Sequence, residues 1–157
     1  GPLERRATRL SNVKVVPWQP PELTALWILA ADVVVIPPTR GPLEVAGTTV
    51  LPLKTFQYLS AGRAILAPDS PDLREVLTNG ENALLVPPDD IEAAAVALNL
   101  LLKDARLRHA LGEASQRTAA GHTWTERAKR IGEFLRRRLD GPAKVQPTAS
   151  ALRAGEP

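Results

Sequence analysis

The sequence predicts an α/β fold in which a parallel sheet lies between helices, and three observations carry that prediction. Short apolar runs closed by prolines recur along the chain, at Val13–Val16, Val33–Ile36, Ala64–Ala67 and Ala83–Val86. Their unbroken apolar character is that of strands buried on both faces. Segments with helical spacing separate the runs, and strands alternating with helices build βαβ units. After the last run only helical patterns remain.

Taken in order, Gly1-Pro-Leu leads into a short helical stretch through Leu10. Leu23, Leu26 and Ala30 then share one helical face, as do Leu53, Phe56 and Ser60, and Leu73, Val76 and Leu77. The helix from Pro52 to Ala61 is the best bounded, because proline suits a first helical turn and Gly62 suits the position beyond the last. Asp89 or Asp90 caps a helix carrying Ile91, Ala94, Leu98 and Leu101 inward, and Asp104 begins another with Leu107, Leu111 and Ala114 inward. Thr123 and Glu126 stand in capping-box spacing before a stripe of Trp124, Ala128, Ile131, Leu135 and Leu139, which is expected to pack on the body. From Gly141 onward there is no periodicity, and residues 140–157 read as a disordered tail.

At 157 residues and 44% hydrophobic content, the chain is sized for one domain with a core. Cysteine is absent, which removes disulfides and thiolate metal sites. Methionine is absent even at position 1, so a fragment or a processed product is expected. No apolar run approaches the roughly 20 residues of a membrane span, and the start lacks a signal peptide's apolar core. The formal net charge of +3 is too small to imply nucleic acid, although seven basic residues between Arg127 and Lys144 face only Glu133 and Asp140. That excess suits a solvated helix end, and leaves phosphate or membrane-surface contact open.

Ligands of open α/β sheets bind at the carboxyl ends of the strands. Three loops lie there: Pro17-Trp18-Gln19, Pro37 to Leu51, and Pro68-Asp69-Ser70. Thr48 and Thr49 lead into the helix at Pro52, whose amino end attracts anions. Lys54 and Gln57, three apart, offer an ammonium to a phosphate and an amide to a sugar hydroxyl. The same residues equally fit a plain helix cap and a wet surface. Trp27 and Trp124 fall on apolar faces and read as core, so Pro17 and Trp18 are the candidates for contact with a base. His109 and His122 read as surface residues with no carboxylate at metal spacing, and no metal site is expected. Asp32, Asp72 and Glu75 do not assemble an acid and base pair, and no nucleophile elbow, P-loop or complete dinucleotide glycine motif is present.

Several stretches match a known pattern in order and spacing: Ala31-Asp-Val-Val-Val-Ile-Pro37, Leu51-Pro-Leu-Lys-Thr-Phe-Gln-Tyr-Leu-Ser-Ala-Gly62, and Leu73-Arg-Glu-Val-Leu-Thr-Asn-Gly-Glu-Asn-Ala-Leu-Leu-Val-Pro87. Asp89-Asp90, Asp104-Ala-Arg-Leu-Arg108 and Thr123-Trp-Thr-Glu-Arg-Ala128 continue it. Together residues 1–139 resemble the C-terminal domain of family 4 glycosyltransferases of the GT-B fold, which implies a Rossmann-like parallel sheet with flanking helices.

The resemblance implies a transferase that moves a sugar from a nucleotide-sugar donor to an acceptor with retention of configuration, this chain being the donor side, with Thr48, Thr49, Lys54 and Gln57 as donor contacts. The family's glutamate pair is departed from: the second position aligns with Gln57, and Thr49 stands where the first is expected. The family's phosphate-clamping arginine and lysine would precede Gly1, as would the N-terminal domain, so the fragment alone is expected to be inactive. No cofactor or metal is implied, the nucleotide-sugar being substrate. The acceptor is unspecified, and the parent is expected in the cytoplasm, with peripheral membrane contact left open. Two alternatives remain at this point, a GT-B nucleotide-sugar epimerase and a non-catalytic nucleotide-binding or interaction module.

Overall fold

The computed structural model describes residues 2–7, 9–37 and 51–139. The chain divides into two units, Gly1–Gly121 and His122–Pro157. In the first, α1 (Pro2–Ala7) and α2 (Pro21–Ala30) precede β1 (Val33–Val35). Next come α3 (Lys54–Ala61), β2 (Ala64–Pro68), one 3-10 turn (Leu73–Glu75) and β3 (Leu84–Val86), followed by α4 (Ile91–Lys103) and α5 (Ala105–Ala120). The second unit holds α6 (Trp124–Leu139).

The three strands form a sheet in the order β1-β2-β3, with parallel pairing that sets Val34 beside Ile65 and Ala67 beside Leu85. All five residues of β2 are buried. Successive side chains of a strand point to opposite faces. Ile65 and Ala67 accordingly join Val34, Ile36, Leu59, Leu73 and Leu77 in one core, while Ala64 and Leu66 join Val86, Leu101 and Leu111 in another. The sheet thus separates a core closed by α3 and the 3-10 turn from one closed by α4 and α5, the α/β layering expected from the sequence.

Helix ends follow their chemistry. Asp90 accepts a hydrogen bond from Ala93 N at 2.8 Å and starts α4. Asp104 ends α4 and also starts α5, accepting from Leu107 N at 2.9 Å. Arg108 reaches back to donate to the carbonyls of Leu101 at 2.7 Å and Leu102 at 3.0 Å, satisfying the open end of α4. The Asp104-to-Arg108 stretch is therefore a helix corner that caps both its helices. Gly62 ends α3 in the left-handed conformation at φ 63°. Gly112 of α5 lies so close that a Cβ there would collide with the Gly62 backbone.

A buried asparagine turns the chain between the 3-10 turn and β3. The Asn82 side chain accepts from Thr78 N at 2.7 Å and donates to the carbonyl of Val76 and to Thr118 Oγ1, both at 3.0 Å. Ser115 Oγ of α5 donates to the Asn82 carbonyl at 2.8 Å. Backbone groups that would have continued a helix past Val76 are instead paired with this amide, so the helix expected over Leu73, Val76 and Leu77 is reduced to the 3-10 turn, although all three side chains are buried.

Other expectations are corrected. Val13–Val16 is not a strand, and Val13, Val15 and Val16 are 36% to 47% exposed. A β-branched run becomes a strand only when a neighbour completes its hydrogen bonds, and no described strand pairs with it. In α2 no residue is buried; Leu23 and Leu26 are exposed and Ile28 packs on the core in their place. This helix is apolar on nearly every side, so periodicity could not choose its inner face. Trp27 and Trp124 are exposed rather than core, and Ile91 is exposed at the start of α4. The α4 and α5 stripes otherwise hold, with Leu101, Leu111 and Ala114 buried. Thr123 accepts from Glu126 N at 3.2 Å at the start of α6, none of whose residues is buried.

Candidate functional site

The α3 helix runs directly through Gly62 and Arg63 into the amino end of β2, so its own amino end lies at the carboxyl end of the sheet. The first turn is closed by Thr55 N to the Pro52 carbonyl at 2.9 Å and Phe56 N to that of Leu53 at 3.2 Å, with no side-chain cap. Thr55 and Leu59 are its buried face, and Lys54 and Gln57 are exposed on the other side. The helix therefore presents an ammonium and an amide together at the sheet end where ligands of such folds bind. Thr48 and Thr49 lie outside the described residues.

After β2, Asp69 N donates to the Val86 carbonyl at 2.7 Å, and Ser70 N to that of Pro68 at 3.0 Å, which fixes a tight loop at the same end. The Asp69 carboxylate pairs with the Arg74 guanidinium through two bonds, at 2.5 Å and 2.6 Å. The hydrogen bond from Arg74 holds Asp69 below the usual carboxylate range.

Buried polar atoms normally have partners, and those that do not call for a water or a ligand. Among the described residues, three such atoms belong to this end of the molecule: Thr55 Oγ1, Ser70 Oγ and Asp72 Oδ1, on residues at most 7% exposed. The sequence marked Ser70, within the Pro68-Asp69-Ser70 loop, but not Thr55. A polar residue on the buried face of α3 was the available signal for Thr55, whereas Asp72 was weighed only for an acid and base pair that it does not form.

Pro17 and Trp18 are exposed in a stretch without regular structure, held locally by Gln19 Nε2 donating to the Pro17 carbonyl at 3.2 Å. Because Val13–Val16 forms no strand, strand-end geometry does not bring them to Lys54 and Gln57. A cavity of about 260 Å³ lined by Asp32, Arg63, Arg108, His109 and Glu113 opens at the opposite, amino ends of β1 and β2 and is not part of this site. His109 Nδ1 lies 3.8 Å from Glu113, a carboxylate one turn on that the spacing had not picked out. Among the described residues no three acidic or histidine side chains are grouped to hold a metal, and no helix is long and apolar enough to cross a membrane.

The family described as "Glycosyl transferases group 1" matches residues 1–104. The chain belongs to this glycosyltransferase family. A D-inositol 3-phosphate glycosyltransferase from Corynebacterium urealyticum is 32% identical over 95% of the chain, which spans only 35% of that relative's length. Among solved structures, a sucrose-phosphate synthase from Thermosynechococcus elongatus matches with a TM-score of 0.72 at 22% identity, over 88% of this chain and 33% of the other. The Anabaena protein HepE in complex with UDP matches with a TM-score of 0.68 at 18% identity, over 85% and 35%. The C-terminal domain of a glycosyl transferase group 1 family protein from Francisella tularensis matches with a TM-score of 0.60 at 18% identity, over 76% and 59%. These likenesses bear out the GT-B fold, the sheet with its flanking helices being that of C-terminal glycosyltransferase domains.

Proposed function

We propose that this glycosyltransferase chain binds the nucleotide-sugar donor, as part of an enzyme that transfers the sugar to an acceptor with retention of configuration. The observation that carries the reading is the amino end of α3, where Lys54 and Gln57 stand exposed above a buried Thr55 whose hydroxyl has no partner. The diphosphate meets Lys54 and the helix end, with Thr48 and Thr49 supplying hydroxyls from the preceding loop. The Gln57 amide bonds the ribose hydroxyls. Ser70 and Asp72 offer an unpaired hydroxyl and carboxylate oxygen to the sugar. The UDP bound to the Anabaena relative supports a uracil nucleotide as the first donor to try.

Transfer demands stabilisation of the departing diphosphate, and a cation at a helix amino end supplies it without a metal. Because Gln57 is uncharged, it bonds ribose less strongly than a carboxylate would.

Calorimetric titration with UDP, GDP and ADP tests the reading, on this chain and on the longer protein that contains it. Binding of one nucleotide is expected, weakened about tenfold in Gln57→Ala, the loss of one net hydrogen bond to a polar ligand, and more in Lys54→Ala. A folded protein that binds none of the three, or binds equally well in both variants, overturns the assignment and leaves a non-catalytic interaction module.

A further inference from the structure

The cavity of about 260 Å³ at the amino ends of β1 and β2 stands apart from the donor site. Every lining side chain longer than a methyl group is polar or charged: Asp32, Arg63, Arg108, His109, Glu113 and Gln116. Such a lining suits a small polar ligand, and the space far exceeds the roughly 30 Å³ share of a single water. Two close-set glycines build it. Arg63 follows Gly62 between α3 and β2, Glu113 follows Gly112 on α5, and the contact between the two glycines brings both charged residues to one cavity. The Gln116 side chain covers Gly62 and completes that wall.

The charges of the lining do not satisfy one another. Arg63 Nε is buried without a hydrogen-bond partner, and no described carboxylate pairs with its guanidinium. Arg108 is already committed, donating to the Leu101 and Leu102 carbonyls and lying 3.8 Å from Asp32. Glu113 has only the His109 ring, also at 3.8 Å and beyond hydrogen-bond reach. One guanidinium and one carboxylate are left over. They differ in depth as well as sign, since Arg63 is half-buried in the wall whereas the Glu113 side chain is 57% exposed at the mouth.

We propose that this cavity binds a small zwitterion, a free α-amino acid, with its carboxylate on the Arg63 guanidinium and its ammonium on the Glu113 carboxylate. A guanidinium offers a carboxylate two parallel N–H donors, Nε among them, so this partner satisfies the orphaned atom. The ammonium gives Glu113 the close, charged donor that His109 at 3.8 Å does not. A plain anion such as phosphate would meet Arg63 but set its charge beside that of Glu113, and a plain cation would do the same beside Arg63; like charges so placed cost affinity. Only a ligand carrying both signs answers both groups.

The test is titration of the full chain with each proteinogenic amino acid in turn, followed by backbone amide chemical shifts and by calorimetry. At least one is expected to bind, with its shifts centred on residues 62–64 and 108–116. Its methyl ester, which lacks the carboxylate charge, and its N-acetyl derivative, which lacks the ammonium, are each expected to bind at least about tenfold more weakly, the loss of one charge-assisted hydrogen bond. Arg63→Gln should erase the difference between the amino acid and its methyl ester while keeping the N-acetyl penalty, and Glu113→Gln should do the reverse. A mere loss of fold does not produce that crossed pattern. Should Arg63→Gln not fold, Glu113→Gln, at an exposed position, still decides through its own half of the pattern. The proposal is overturned by a chain that binds no amino acid, by shifts centred on Lys54 and Gln57 instead, or by variants that lose all the ligands alike. Inorganic phosphate binding as tightly as the amino acid also overturns it, and would make the cavity a plain anion site.

Discussion

Residues 51–121 and residues 9–35 are equally apolar in stretches, yet they are stabilised very differently. In the later segment β2 has a strand on each side and a helical layer on each face, and every one of its residues is buried. In the earlier segment Val13–Val16 pairs with no described strand, no residue of α2 is fully buried, and Trp18, Trp27 and Leu26 are exposed. An apolar run contributes stability only to the extent that neighbours cover it and complete its backbone hydrogen bonds.

The comparison is broken most directly by truncation on each side. Leu59→Ala, in a side chain with no exposure, should lower the unfolding free energy by about 2–5 kcal/mol. Leu26→Ala, at 59% exposure, should cost less than about 0.5 kcal/mol. Urea denaturation of both variants decides the matter, and similar losses would show that α2 is covered after all. Amide exchange sharpens the same contrast: β2 amides should be protected to nearly the global unfolding free energy, and those of residues 13–19 should exchange fast.

A smaller effect is expected from the turn that anchors β3. Asn82→Ala removes the amide's bonds to the Val76 carbonyl, Thr78 N and Thr118 Oγ1, the last of which keeps its bond to the Ala114 carbonyl, at a cost of about 1–3 kcal/mol. Asn79→Ala, which loses a single exposed bond to Leu85 N, should cost less than about 1 kcal/mol. Thermal melts of the pair test whether burial or bond count governs this turn.

The least of the effects is electrostatic. Arg74 depresses the Asp69 carboxyl, so the pair stabilises the loop above the carboxyl's unfolded pKa and loses that contribution as pH falls through the lower folded value. Carbon-detected NMR titration should find the Asp69 midpoint below the ordinary range in the native protein and back within it in Arg74→Ala. An unchanged midpoint in the variant would remove the ion pair from the account.

Much of the later segment was legible in the sequence because its signals are local. Asp90, Asp104 and Gly62 bound their helices through chemistry confined to one turn, and the three strands that formed were marked by apolar runs ending in proline. What was not legible depends on partners remote in sequence. The strand at Val13–Val16 needs a neighbour that no local pattern supplies. The helix after Leu73 was cut short by Asn82 and held from α5 by Ser115 and Thr118. The candidate site was legible in part: Lys54 and Gln57 follow from helical spacing, whereas the unpaired atoms of Thr55, Ser70 and Asp72 emerge only once the loop after β2 and the first turn of α3 are folded.

The close approach of Gly112 to Gly62 has a mechanical side. An α3 of eight residues is a rod of about 12 Å, and its rear end rests on a spot of α5 where even a methyl group would displace the backbone. Any side chain at Gly112 pushes on one end of a lever whose other end carries Lys54 and Gln57. The aim of those two groups is therefore set from the back of the sheet as well as the front, by a glycine that touches neither.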